Sequence, residues 1–193
     1  MDSTNPFYKQ VSLLVRLLPI IGQQPCFALK GGTALNLFVR NLPRLSVDID
    51  LAYILTADRA QALAEIDQTL KVIVDDIQRR LSGVNISAQP NTKTGTLLKL
   101  NIEQADAVVK IEVNPVLRGT VYQAEKRAVS PLVEKYFGYA EVPLLNFYDL
   151  YAGKICATLD RQHPRDLYDT SILLNNEGIN RELMIAFMVY LIG

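Results

Sequence analysis

Histidine occurs once in this chain, cysteine twice and tryptophan not at all. Cys26 and Cys156 make no disulfide framework and show no metal-ligand spacing, a usage that suits a reducing cytoplasm with free thiols. The single histidine, His163, precedes Pro164 in a polar turn. It is expected at the surface, and no Ser-His or Cys-His nucleophile system is suggested. Charge of one sign is not in excess either, since Lys plus Arg and Asp plus Glu both number 20. No overall field therefore recruits nucleic acid or an anionic membrane, and a polyanion must be met by a local patch. No window reaches the roughly 20 uninterrupted apolar residues that span a bilayer. The first stretch carries Asp2, then Lys9 and Arg16 inside its apolar run, and so lacks the order of a signal peptide. A soluble, membrane-free protein is expected.

What is present suffices for a core. The 193 residues are 49% hydrophobic and 21% charged, enough for one large domain or two small lobes and incompatible with disorder, collagen or a coiled coil. Apolar residues at helical spacing predict a helix from Pro6 to Leu18, closed by Pro19. A short apolar run, Cys26 to Leu29, leads into Lys30-Gly31-Gly32-Thr33, which reads as strand, tight turn and helix start, with the helix reaching Arg40. Val47 to Ala52 alternates apolar and acidic residues with period two. A long covering helix is expected over 58–81. Three antiparallel strands follow over 85–88, 96–102 and 107–113, with a further strand over 122–129. Helices are expected over 147–159, 165–174 and 181–192. The reading is α/β (α+β): a mixed, mostly antiparallel sheet with covering helices over 1–142, then a helical lobe over 143–193. The last segment, RELMIAFMVYLIG, ends on an apolar helical pattern without a cap. Its apolar side either docks on this domain or belongs to a chain that continues, and the second is favoured.

The chemistry concentrates in three places. In Ser46-Val47-Asp48-Ile49-Asp50-Leu51 a strand sends both Asp side chains to one face and the apolar residues to the other. Adjacent carboxylates repel unless a cation, donors or open water sits opposite. Magnesium takes one or two carboxylates plus phosphate oxygens, the incomplete cage that this pair offers. Upstream, the Gly31-Gly32 turn opens a helix whose freed N–H groups can face an anion, with the Thr33 hydroxyl as cap or phosphate donor. In Val108-Val109-Lys110-Ile111-Glu112-Val113 a third acid, Glu112, shares a strand face with Lys110 and is available to complete a three-carboxylate, two-metal site. Each feature alone has a plain structural account: a solvated strand face, a turn with an N-cap, a cross-strand ion pair.

Their order resembles the nucleotidyltransferase superfamily to which DNA polymerase beta belongs. A narrower likeness is to the AbiEii/AbiGii toxin family of type IV toxin–antitoxin systems. Phe27-Ala28-Leu29-Lys30-Gly31-Gly32-Thr33-Ala34-Leu35 and Arg44-Leu45-Ser46-Val47-Asp48-Ile49-Asp50-Leu51 carry it in the first half. Asp149-Leu150-Tyr151-Ala152-Gly153-Lys154-Ile155 and Pro164-Arg165-Asp166-Leu167-Tyr168-Asp169 carry it in the second. The resemblance implies a nucleotidyltransferase fold and an enzyme that uses Mg²⁺ or Mn²⁺ and an NTP to modify an RNA acceptor such as the tRNA 3′ end, with a cognate antitoxin as partner. It implies Asp48, Asp50 and Glu112 as metal ligands, and Gly31, Gly32, Thr33, Arg44, Ser46 and Lys154 at the nucleotide. Lys154 would neutralise triphosphate charge, and Asp166 would orient Lys154 or a nucleotide group. Lys154 is also readable as a snorkelling surface lysine, and Asp166 as an ordinary first-turn acid. A nucleotidyltransferase for a small hydroxyl acceptor, and a non-catalytic nucleotide- or protein-binding module, stay open. Arg40, Arg44, Arg79, Arg80, Lys93, Lys99, Lys126 and Arg127 are available to build a patch for RNA phosphates, Arg44 first among them because it stands four residues before Asp48, although a neutral chain of this size has such residues in any case.

Overall fold

The computed structural model describes residues 5–193; the first four, Asp2 among them, lie outside. A seven-stranded sheet in the order β3-β4-β5-β2-β1-β7-β6 organises the chain. The strands are β1 (Phe27–Lys30), β2 (Asp48–Tyr53), β3 (Val84–Pro90), β4 (Leu97–Gln104), β5 (Ala107–Arg118), β6 (Glu125–Ala128) and β7 (Glu141–Leu144). β1 meets β2 antiparallel and β7 parallel, β5 lies parallel to β2, and the remaining pairs are antiparallel, so the expected mixed and mostly antiparallel sheet is found. β3 to β5 form the expected meander.

Two helices cover one face. α1 (Pro6–Ile21) is capped by Asn5, whose side chain accepts from the Phe7 N–H, and it runs through Pro19 rather than stopping before it. Pro19 lies in the last turn, where its missing N–H costs one helical bond. Leu17, Leu18, Ile20 and Ile21 are all buried around it, and that burial outweighs the lost bond. α3 (Arg59–Arg80), capped by Asp58, buries Ile66, Leu70, Ile73 and Ile77 on one stripe. Beneath these helices the apolar alternates of the strands, Ile49, Leu51, Leu100, Ile102, Val109 and Ile111, form the core.

α2 (Gly31–Ala34) packs against β1 and β2 and passes directly into a π-helical turn over Leu35–Val39. It also meets α5 (Phe147–Arg161), which α6 (Pro164–Asn176) and α7 (Arg181–Ile192) follow in the helical segment. Two elements are new relative to the sequence reading, α4 (Pro131–Phe137) and β7. The strand expected over 122–129 is confined to β6. Buried Asp149 ties the helical segment together: it accepts from the Val121 and Tyr122 N–H groups, both at 2.9 Å, and from the Tyr190 hydroxyl at 3.2 Å. α7 rests on α5 through Leu183 and Ala186, while Met188 and Ile192 are exposed. No helix among the described residues is long and apolar enough to cross a membrane.

Candidate active site

Cross-strand register places the acids. Lys30 on β1 is level with Asp50 on β2, Asp50 with Glu112 on β5, and Glu112 with Lys99 on β4. One step along, Asp48 is level with Lys110, and Lys110 with Asn101. Since alternate residues share a face, these form two polar rows crossing the sheet opposite its apolar core. The three acids read from the sequence therefore stand on one face.

The glycine turn closes on this face. Gly31 has φ +74°, a left-handed conformation that side chains other than glycine enter at a cost, and a β-carbon there would lie 2.5 Å from Asp50 Oδ2. A β-carbon on Gly32 would lie 3.0 Å from both Arg44 Nη2 and Ser46 Oγ. The two glycines thus let an acid and a base approach the backbone. Gly31→Ala is expected to lose about 2 kcal/mol or more of folding free energy, from the left-handed backbone and the collision with Asp50, as read by urea unfolding. Thr33 is fully buried. Its hydroxyl is hydrogen-bonded to the Asp48 backbone carbonyl and lies 3.0 Å from Ser46 Oγ, so it fixes the start of β2.

A second layer of charge comes from the helices. Arg44 forks onto Asp169 of α6, Nε to Oδ1 at 2.9 Å and Nη2 to Oδ2 at 2.5 Å. Lys154 of α5 is buried, its Nζ 3.0 Å from Asp169 and 2.9 Å from Asp166, and Arg161 Nε completes the chain at 2.7 Å from Asp166. Lys154 is therefore not a snorkelling surface residue, and Asp166 is no mere first-turn acid. Asp169 was not singled out by sequence reasoning, although it stands three residues after Asp166 in the quoted motif. Its importance lies in a partner 125 positions away. His163 is exposed and caps α6, its Nδ1 accepting from the Arg165 N–H.

The electrostatics follow from burial and pairing. Burial pushes the Asp50 carboxyl up; Lys30 opposes this and Asp48 adds to it. Burial likewise pushes the Lys30 ammonium down, against the pull of Asp50 and Glu112. Burial also works to raise Glu112, but its bonds to Lys99 and Lys110 prevail and hold it below the usual carboxylate range. Asp166 behaves in the same way, Lys154 and Arg161 overcoming burial. A carboxyl lowered in the folded state stays charged while the unfolded chain takes up a proton. Its stabilisation is complete above the unfolded value of about 4 and is lost as pH falls through the folded one. Asp166→Asn should accordingly flatten the acid limb of stability, measured by urea unfolding from about pH 6 to about pH 3.

An oxygen-rich carboxylate pair with one member driven towards protonation, beside a turn with no side chains, is chemically suited to a hard divalent cation with phosphate oxygens completing its shell. Among the described residues no group of three or more His, Cys, Asp or Glu is arranged to hold an ion together. The structure brings Asp48, Asp50 and Glu112 to one face but not into one ligand set. Glu112 Oε1 is 2.9 Å from Lys99 Nζ, and Oε2 is 3.2 Å from Lys110 Nζ.

The fold is shared with nucleotidyltransferases of known structure. MenT4, a nucleotidyltransferase toxin from Mycobacterium tuberculosis H37Rv, superimposes with a TM-score of 0.69 at 19% identity, over 95% of this chain and 64% of that one. The present chain thus spans less than two thirds of the MenT4 chain. The antibiotic-resistance factor ANT(2'')-Ia superimposes with a TM-score of 0.54 at 13% identity, over 98% of this chain and 92% of that one. No curated protein matches the chain by sequence. The family model for the nucleotidyl transferase AbiEii toxin of type IV toxin–antitoxin systems matches residues 12–192, and the chain belongs to that family.

Proposed function

We propose that the protein is a metal-dependent nucleotidyltransferase toxin that moves a nucleotide from an NTP to the 3′ end of an RNA, with tRNA as the acceptor and an antitoxin protein as its partner. The observation that carries the reading is the placement of Asp48 and Asp50 on one strand face, with Asp50 directly against the Gly31 turn. Asp48 and Asp50 hold Mg²⁺ or Mn²⁺. The cation supplies charge neutralisation at the triphosphate and at the departing pyrophosphate. The triphosphate lies along the Gly31–Gly32 turn, where the missing side chains let Asp50, Arg44 and Ser46 close up to the backbone, and Thr33 keeps Asp48 in place from behind. Arg44 and Lys154 bring positive charge to the same end of the pocket, oriented by Asp166 and Asp169. In this reading residues 1–142 supply the catalytic lobe, and the helical lobe over 143–193 positions its cations.

Catalysis here is largely positioning and electrostatics, so transfer should depend on the acids and on the cation together. The test is incubation of the purified protein with each labelled triphosphate and total RNA, with Mg²⁺, Mn²⁺ or a chelator. Label is expected in tRNA-sized RNA, with pyrophosphate released, only when a divalent cation is present. Label in small molecules instead would assign a small hydroxyl acceptor. Triphosphate binding without pyrophosphate release under either cation would assign a binding module.

A further inference from the structure

The ion-paired cluster on β4 and β5 is not used by this mechanism. Glu112 gives one carboxylate oxygen to Lys99 and the other to Lys110, and the two lysine side chains stay 45% and 40% exposed. Two ammonium groups more than neutralise this carboxylate, and the paired lysines repel a cation. Each ammonium carries three donors and uses one on Glu112, so two are left for a ligand. The cluster bears a net charge of one positive unit. Because Glu112 already fixes two long side chains, a ligand that binds them meets a smaller ordering cost.

Sheet order decides which ligand this serves. The glycine turn follows β1, on one side of the Asp48/Asp50 strand, and the lysine pair lies on β4 and β5, on the other. The triphosphate enters from the glycine side, so the lysines flank the acids where the attacking strand must come in. We infer that Lys99 and Lys110, yoked by Glu112, bind backbone phosphate of the single-stranded end of the RNA acceptor and lead its 3′ hydroxyl to Asp48 and Asp50. This rests on the nucleotidyltransferase reading above. It makes Glu112 a positioning residue for two lysines rather than a metal ligand.

The test reads binding without turnover. A 5′-labelled single-stranded RNA is titrated by fluorescence anisotropy at several salt concentrations against the wild type and the Lys99→Gln/Lys110→Gln double variant. The double variant should bind at least tenfold more weakly. Its slope of log affinity against log salt should be shallower by about 1.4, two phosphate contacts on a single strand. Its affinity for a non-hydrolysable triphosphate should be unchanged. Glu112→Gln should bind RNA more weakly than the wild type at high salt, where screening removes the benefit of the lost negative charge and the loss of the yoke remains. It should keep Mn²⁺ binding in the presence of that triphosphate, followed by electron paramagnetic resonance, whereas Asp48→Asn should lose it. An unchanged RNA affinity and slope in the double variant, or no RNA binding by the wild type, overturns the inference. Equal weakening towards the triphosphate makes the lysines a triphosphate site instead, and loss of Mn²⁺ binding in Glu112→Gln returns that acid to the metal. Absence of nucleotide transfer by a wild type that binds RNA through these lysines would count against the catalytic reading alone.

Discussion

Asp48→Ala is expected to lower nucleotide transfer by at least about a thousandfold, equivalent to about 4 kcal/mol of transition-state stabilisation, while leaving the fold intact. The loss is large because Asp48 and Asp50 share one strand face beside the glycine turn that Asp50 touches, and a lone Asp50 makes half of the proposed cation site. Folding is spared because the side chain removed is one of two like charges held side by side, and the Thr33 hydrogen bond is made to the Asp48 backbone carbonyl, which alanine keeps. Single-turnover transfer read beside a thermal melt separates the two effects. Transfer within tenfold of wild type by a folded Asp48→Ala protein would show that the cation is held elsewhere.

Asp169→Ala should act in the opposite order, on stability first. Its carboxylate, 3% exposed, carries the fork from Arg44 and one bond from Lys154. Removing one partner of a buried ion pair leaves the other charge uncompensated, at a cost of about 3–5 kcal/mol. For a chain of this size that corresponds to a fall in Tm of about 10 °C. Lys154 retains Asp166, so Arg44 is the cation stranded. A paired replacement, Arg44→Met with Asp169→Leu, leaves no orphaned guanidinium and should recover much of the melting temperature without recovering transfer. Should Asp169→Ala melt with the wild type, the network would be a surface feature rather than a brace.

The alternation from Val47 to Leu51 made the central strand legible, because period two tells a buried face from a polar one without any knowledge of neighbours. The same holds for the meander β3 to β5 and for the helical stripe of α3. What stayed hidden depends on partners. Nothing in the sequence announces that β5 leaves its meander neighbour β4 on one side to lie parallel to β2 on the other, yet that pairing alone makes Asp50 and Glu112 level. β7 has four residues and α4 seven, too few for a period to show. Pro19 reads as a terminator because local propensity cannot register the burial of Ile20 and Ile21 beyond it. Glu112 fits an acid pattern in one dimension; only the pairing of β5 with β4 shows that Lys99 reaches its Oε1. Asp169 closes the Arg165-Asp166-x-x-Asp169 motif, but nothing in the sequence names Arg44 as its partner.

The clamp between Arg44 and Asp169 also sets a timetable. Its halves are 125 residues apart in the chain. At ribosomal speeds of roughly 5–20 residues per second, the later half is made about 6–25 s after the earlier one. Throughout that interval the nascent polypeptide already carries its aspartate doublet and glycine turn, but lacks the anion that steadies the guanidinium beside them. The pocket is therefore among the last parts of the molecule to acquire its final shape during synthesis, and growing chains that stall before α6 are born without it.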